Sequence, residues 1–275
     1  MSISNSNSKT INPHSAKEAG LSIRNPKSTR LSSSQAKIQN QKTWLSIDFD
    51  RIDYRKAWEL QSDLIIARKE RILQNDIVLF LEHSAVFTLG RRGGRECMLV
   101  SEEFLENAGV QVIQVERGGN ITFHGPGQLV VYPIVNLQAA GIKVVDFVTG
   151  LEEVMLRTAE NWGIAAQRSA ANRGIWVGPN KMGSIGIAVR RGISFHGLAL
   201  NIDTDLTPFS WIQPCGLQNV AMTTMQQETA QTFSMQQVRE VLKRQFETVF
   251  GIKFVPKDLT DLDSIFENLT LTTRV

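Results

Sequence analysis

Cys215 stands in Gln-Pro-Cys-Gly, after a stretch that reads as a strand. Pro214 restricts the backbone ahead of it and Gly216 leaves room for another group to come close, a setting that presents a thiol on a tight turn as a nucleophile. A free cysteine is more commonly a small buried apolar residue, and Cys97, in Arg-Glu-Cys-Met-Leu, is read that way. A thiol with a pKa of about 8.5 is mostly protonated at neutral pH, so a reacting cysteine needs a base or a positive neighbour. Lys181, His124 and His196 are the candidates. Lys181 lies in Gly-Pro-Asn-Lys-Met-Gly-Ser-Ile-Gly, a turn running into a strand. Desolvation there would lower its pKa far enough to exchange a proton with a thiol; a solvated turn lysine is the plainer alternative.

Residues 117–128 read Arg-Gly-Gly-Asn-Ile-Thr-Phe-His-Gly-Pro-Gly-Gln, four glycines in twelve positions. Glycine at that density lets backbone approach a ligand and aim N–H groups at it, as an acyl tunnel or an oxyanion requires; the bland reading is a multi-turn loop. The segment is neither a P-loop nor a Gly-x-Gly-x-x-Gly turn.

The elements that must position these groups follow from periodicity. Residues 43–49 read as a short strand, and residues 53–74 as a helix burying Ala57, Trp58, Leu64 and Ile65. The continuous apolar run 77–81 reads as a strand covered on both faces. Residues 112–115 and 129–135 read as strands flanking the glycine-rich segment, with Pro133 marking a strand end or edge. Asp146 suits an N-cap for a helix carrying Phe147, Leu151, Val154, Met155, Thr158 and Trp162 on one side and stopped by Gly163. Short strands follow at 174–177, 184–189 and 195–202. Ser234 with Gln237 makes a capping-box signature before a helix that Gly251 ends. Strands and helices intermix without regular βαβ alternation, so the fold class is α+β, a mixed β-sheet with flanking helices.

The 275-residue length suits one large domain with a tail. Residues 1–43 are rich in Ser, Asn, Gln and Lys, lack aromatics, and carry seven Lys or Arg against the single acid Glu18. This reads as a disordered polar tail, the alternative being an organelle transit peptide. Taking it from the chain's 30 basic and 27 acidic residues leaves 23 against 26, a body of net −3. The basic character is therefore a property of the tail, and no nucleic-acid partner is expected. Two cysteines are too few for a disulfide framework or a zinc site and suit a reducing, cytoplasmic setting. No apolar run of about 18 residues is present to cross a membrane.

Residues 82–90 (Glu-His-Ser-Ala-Val-Phe-Thr-Leu-Gly), 117–129, 181–186 (Lys-Met-Gly-Ser-Ile-Gly), 195–201 (Phe-His-Gly-Leu-Ala-Leu-Asn) and 214–216 (Pro-Cys-Gly) occur in this order. Together they resemble the octanoyl-[acyl-carrier-protein]:protein octanoyltransferases of lipoate synthesis, across residues from about 44 to 254. The resemblance implies a catalytic domain over 44–256, similar to the biotin/lipoate protein ligase fold, with 257–275 as a C-terminal tail. It implies that Cys215 carries the acyl group as a thioester while Lys181 lowers its pKa and shuttles protons. Arg117, Gly118, Gly119, Asn120, Ile121, Thr122, Phe123 and His124, with Ser184, Ile185, Gly186, Gly197, Leu198 and Ala199, would line the acyl-chain and thioester site. The implied donor is octanoyl-acyl carrier protein. The implied acceptors are lipoyl domains of 2-oxoacid dehydrogenase E2 subunits and the glycine cleavage H protein, served by a monomer without cofactor or metal.

The family usually reads Lys-Ile-Ala-Ala-Ile-Gly where this chain has Met182, Gly183 and Ser184, which points to an altered pocket wall. Arg91, Arg92, Arg95, Arg190 and Arg191 would form a local basic docking face for an acidic carrier. The competing readings are an ATP-dependent lipoate or biotin protein ligase, a lipoyl-domain amidotransferase, and a catalytically idle lipoyl-domain or acyl-binding protein.

Overall fold

The computed structural model describes residues 42–170, 172–213 and 220–272. In chain order the elements are β1 (Lys42–Ile52), α1 (Tyr54–Lys69), β2 (Asp76–His83), β3 (Val86–Leu89), α2 (Glu102–Asn107), β4 (Gln111–Gln114), β5 (Ile121–His124), β6 (Gln128–Ile134) and α3 (Leu137–Ala140). They continue as α4 (Val144–Glu160), β7 (Gln167–Arg168), β8 (Gly174–Val177), β9 (Asn180–Arg190), β10 (Ile193–Asn201), α5 (Met225–Thr229), α6 (Met235–Phe250), β11 (Ile252–Pro256) and α7 (Asp263–Thr272).

Among these residues an eight-stranded sheet runs β11-β1-β2-β6-β10-β9-β8-β7, and a three-stranded sheet runs β4-β3-β5. The large sheet is mixed: β1 pairs parallel with β2 and β11, and the remaining pairs are antiparallel. The apolar run in β2 follows from its central place. Val78 and Phe80 face α4 and α6, while Ile77, Leu79 and Leu81 face α1, so both faces are covered.

Several local expectations change. The first helix starts after the Asp53 cap but stops at Lys69, and the left-handed Arg71, at φ 60°, turns the chain away from the helix path. The fourth helix begins three residues earlier than expected: Lys143 is its N-cap, and Asp146 lies in the first turn, where its charge meets the helix dipole. Ser234 caps α6 without the expected side-chain hydrogen bond. Pro133 lies in an interior strand near its end. The ladder from β6 to β10 finishes at Val131, and Ser194 Oγ donates to the Pro133 carbonyl at 2.7 Å, so no ladder N–H is required of the proline on that side.

The boundary at 257 is not a structural one. Residues 259–262 form a 3-10 turn leading into α7, which packs on α1, and Leu262 and Leu269 are buried in the α1-side core. The tail expected at 1–43 lies, up to residue 41, outside the described residues. Leu262→Ala is expected to destabilise the protein by about 2–4 kcal/mol through the cavity it leaves, read from the midpoint shift of chemical denaturation.

Candidate active site

Four separate segments of the sequence meet around β9. Ser184, Ile185 and Gly186 are register partners of Ala199, Leu198 and Gly197 on β10, so the two short segments form one patch of sheet. On the other edge of β9, β8 begins opposite Ser184, and further along Gly118 N–H bonds the Ile187 carbonyl at 2.9 Å. Between these two attachments Ser184–Ile187 is half-buried, whereas Lys181 to Gly183 and Ala188 are buried. The sheet is thus opened to solvent at the place where the glycine-rich segment crosses it. The side chains of Ile185 and Leu198 belong to the core beneath α4, so they border the opening mainly through backbone.

Two of the three residues that depart from the family pattern, Met182 and Gly183, face that same core. Met182 is fully buried in it, and a Cβ on Gly183 would lie 2.8 Å from Met155 Sδ and 2.9 Å from Ile175 Cγ1. Met155 occupies the space of the missing methyl group, so the departure at 182 and 183 is a change of core packing.

Arg117 is buried, and its guanidinium is spent inside the protein. Nε donates to Thr88 Oγ1 at 3.1 Å, Nη2 to the Thr88 carbonyl at 2.6 Å, and Nη1 to the Gly118 carbonyl at 3.0 Å. Among the described residues it has no carboxylate partner. The glycines make room for it: a Cβ on Gly90 would lie 2.7 Å from Arg117 Nη1, and one on Gly186 3.1 Å from Arg117 Cδ. Gly90 and Gly186, both outside the glycine-rich segment, therefore serve to seat its arginine. Two backbone donors of the segment are committed as well, Gly118 N–H to Ile187 and Gly127 N–H to Glu82 Oε2 at 2.7 Å.

Three histidines and two tyrosines cluster beside Arg117. His83 Nδ1 lies 2.8 Å from the Ile52 carbonyl, which can only accept, so that nitrogen carries the proton and Nε2 accepts from Tyr132 Oη at 2.7 Å. Gln128 donates its amide to Asn201 Oδ1 at 2.9 Å and to the Phe123 carbonyl at 3.3 Å. Its Oε1 therefore faces His124 at 2.7 Å and selects the Nδ1–H form there too. Burial holds both imidazoles neutral, pushing His83 down to about 4 and His124 down to about 3, the latter also through the charges of His83 and Arg117. His196 adopts φ +54° within β10 and meets Tyr54 Oη at 3.5 Å and Glu116 at 3.7 Å. Thr122, Ile121 and Phe123 stand on β5, with Ile121 and Phe123 packed into the small-sheet core.

Lys181 is buried on β9. Its Nζ donates to Asn172 Oδ1 at 2.6 Å and lies 5.3 Å from the Trp176 ring centroid. Burial lowers its pKa to about 8; Glu152 opposes that shift and Arg117 adds to it. Cys215 falls within 214–219, outside the described residues. The chain on either side of that segment is tied to the site. Gln213 N–H bonds the carbonyl of Cys97, whose Sγ donates to Asn120 Oδ1 at 3.3 Å. On the far side, Lys181 N–H bonds the Ala221 carbonyl at 2.9 Å and Thr223 N–H bonds the Lys181 carbonyl at 3.0 Å.

Asn172, Thr88, Glu152, Tyr54 and Tyr132 escaped the reading of the sequence. Thr88 carried one signal, a hydroxyl in an otherwise apolar strand. Of the five arginines expected to form a basic face, Arg95 is paired with Glu102 and Arg190 with Glu116. Arg91 and Arg92 stay exposed, their N–H groups fastened to the Arg117 and Gly119 carbonyls.

The lipoyl protein ligase A/B catalytic domain matches residues 53–247. Among solved structures, an archaeal bipartite lipoate protein ligase from Thermoplasma acidophilum superposes with a TM-score of 0.65 at 17% identity, covering 83% of this chain and 92% of that one. A lipoate-protein ligase A bound with ATP gives 0.64 at 17%, over 83% and 93%. These likenesses show the fold. Octanoyltransferase from Desulfotalea psychrophila is 42% identical over 74% of this chain and 93% of its own length. That of Syntrophobacter fumaroxidans is 38% identical over 81% and 97%. The chain belongs to the lipoyl protein ligase A/B catalytic-domain family, and within it to the octanoyltransferases. It is a transferase of lipoate biosynthesis and protein lipoylation.

Two outcomes follow from the buried polar groups. Thr88→Val is expected to cost about 1–3 kcal/mol by leaving a guanidinium donor unpaired, measured by denaturation. The unfolded chain protonates its histidines near their ordinary 6.5 while folded His83 and His124 stay neutral down to about 4 and 3. Stability should therefore fall as pH drops from 6.5 towards 4, and His124→Gln should flatten that decline in pH-dependent melting.

Proposed function

We propose that this enzyme moves an octanoyl group from octanoyl-acyl carrier protein to the lipoyl-domain lysine of 2-oxoacid dehydrogenase E2 subunits and glycine cleavage H protein, through a thioester on Cys215. The observation that supports this most is the tethering of both ends of segment 214–219. One end is tied to Cys97, which contacts Asn120 of the glycine-rich segment, and the other to the backbone of Lys181. Anchors on both sides of the segment support a thiol that works with Lys181 as its base.

In the first half-reaction the Cys215 thiol proton passes to Lys181 Nζ, and the thiolate attacks the octanoyl carbonyl carbon. The tetrahedral oxyanion collapses, and the carrier's thiolate leaves, taking the proton from Lys181. In the second, the acceptor lysine amine attacks the acyl-enzyme, Lys181 takes the proton released, and Cys215 departs as thiolate and is reprotonated. Exchange of one thioester for another is nearly even in free energy and thioester to amide is downhill, so the chemistry runs without ATP. Gly118 and Gly127 N–H are already bonded, and the N–H groups of Gly119 and Asn120 are the donors in the segment assigned here to the oxyanion.

Arg117, Gly118, Gly119, Asn120, Thr122 and His124, with Ser184, Ile185, Gly186, Gly197, Leu198 and Ala199, border the acyl site. Arg91 and Arg92 on its rim suit an acidic carrier and steer its approach. A monomer in a reducing cytoplasm keeps the thiol available; among the described residues no helix is long and apolar enough to cross a membrane.

Intact-mass spectrometry after mixing with octanoyl-acyl carrier protein tests this. The expected result is a gain of one octanoyl group that is lost in Cys215→Ser, slowed at least a hundredfold in Lys181→Ala on the scale typical of general-base removal, and chased onto added lipoyl domain. Failure to form an adduct, with transfer of free octanoate once ATP is supplied, would assign the protein to the ligase chemistry of its structural neighbours.

A further inference from the structure

A buried lysine is usually held by a carboxylate, and Lys181 is not. Among the described residues no Asp or Glu lies within ion-pair distance of its Nζ, which is instead received by the amide oxygen of Asn172. Asn172 is itself fixed in place. Its carbonyl accepts Trp176 Nε1–H at 3.3 Å, and the two residues after it are held by Glu152 of α4, whose carboxylate accepts from Arg173 Nη1 and from Gly174 N–H, each at 3.0 Å. Glu152 is 1% exposed, so this anchor lies inside the protein and does not move with the surface. The charged groups that face Lys181 are Glu152 from α4, already engaged by Arg168 and Arg173, and Arg117 from the glycine-rich segment.

Resting on the reading of Lys181 as the base for Cys215, we propose that Asn172 is a positioning residue, whose neutral amide oxygen orients the Lys181 amine while leaving it free to lose its proton. The chemistry of the acceptor carries the argument. A neutral amine that gives one N–H to Asn172 keeps its lone pair available for the thiol proton. When the Cys215 S–H bond breaks and the proton joins Nζ, the N–H to Asn172 is retained, so the lysine moves little between its two states. A carboxylate at the same place would fix the amine equally well but would hold it as ammonium, the form unable to take a proton. Orientation and basicity are thus separated by the choice of an amide over an acid.

The test is the pH dependence of acyl-enzyme formation from octanoyl-acyl carrier protein, followed by quenched intact-mass measurements on the full chain. Wild type is compared with Asn172→Asp, Asn172→Ala and Lys181→Ala, each verified as folded by its melting transition. A rate that needs the neutral amine falls as pH drops through the lysine pKa. Asn172→Asp is expected to move that acid limb upward by about one pH unit or more, the scale of a new opposite charge in contact, with rates recovering above it. Asn172→Ala is expected to lose orientation, slowing the step by about tenfold at every pH without an upward shift.

A folded Asn172→Asp whose acid limb coincides with wild type would overturn the proposal, as would a folded Asn172→Ala with wild-type rates. If Lys181→Ala keeps both the rate and the limb of wild type, it is the lysine's role as base that fails, and this proposal falls with it.

Discussion

The buried cation of Arg117 organises the surroundings of the candidate site. A guanidinium placed away from water is costly unless its donors are satisfied, and here they are satisfied by the hydroxyl and carbonyl of Thr88 and the carbonyl of Gly118. Each partner is neutral, so the charge is solvated without being cancelled. The surrounding architecture follows from that requirement. β3 has to bring Thr88 alongside, Gly90 and Gly186 have to be without side chains, and the chain from 117 to 119 has to cross the edge of β9.

The uncancelled charge gives the neighbouring groups their character. It works in the same direction as burial on Lys181, His124 and His196, favouring the neutral form of each. Hydrogen bonds then decide where the remaining protons sit. The Ile52 carbonyl selects the tautomer of His83, and the amide of Gln128, oriented by Asn201, selects that of His124. Asn201 in turn donates to the Thr223 carbonyl at 3.1 Å, and Thr223 is bonded to Lys181. The polar interior is therefore one connected arrangement, reaching from the histidines to the lysine.

How much of this was legible depended on whether the relevant signal was local. Helices α4 and α6 were visible because each buries a single stripe, and β2 because both its faces are covered. The four-residue strands β3 and β5 left no comparable period. Asn172, in Ser-Ala-Ala-Asn-Arg, looks like an ordinary loop residue, and nothing nearby in the sequence shows that its amide meets a lysine nine residues later. The C-terminal segment after 256 looked like a tail because Leu262 and Leu269 find their partners on α1, almost two hundred residues earlier.

By itself the sequence determined the family to which the chain belongs, the mixed α+β class and the residue types that are candidates for the chemistry, since motifs and hydrophobic periods are written over a few consecutive positions. Only the tertiary structure decided what those residues are in chemical terms. It set Gly90 and Gly186 against the buried side chain of Arg117, assigned Met182 and Gly183 to the core, and gave the buried amine of Lys181 an amide oxygen as its partner in place of a carboxylate. The reason is physical: a pKa, a tautomer and a cavity depend on groups brought within a few ångströms by folding, and those groups are distant along the chain.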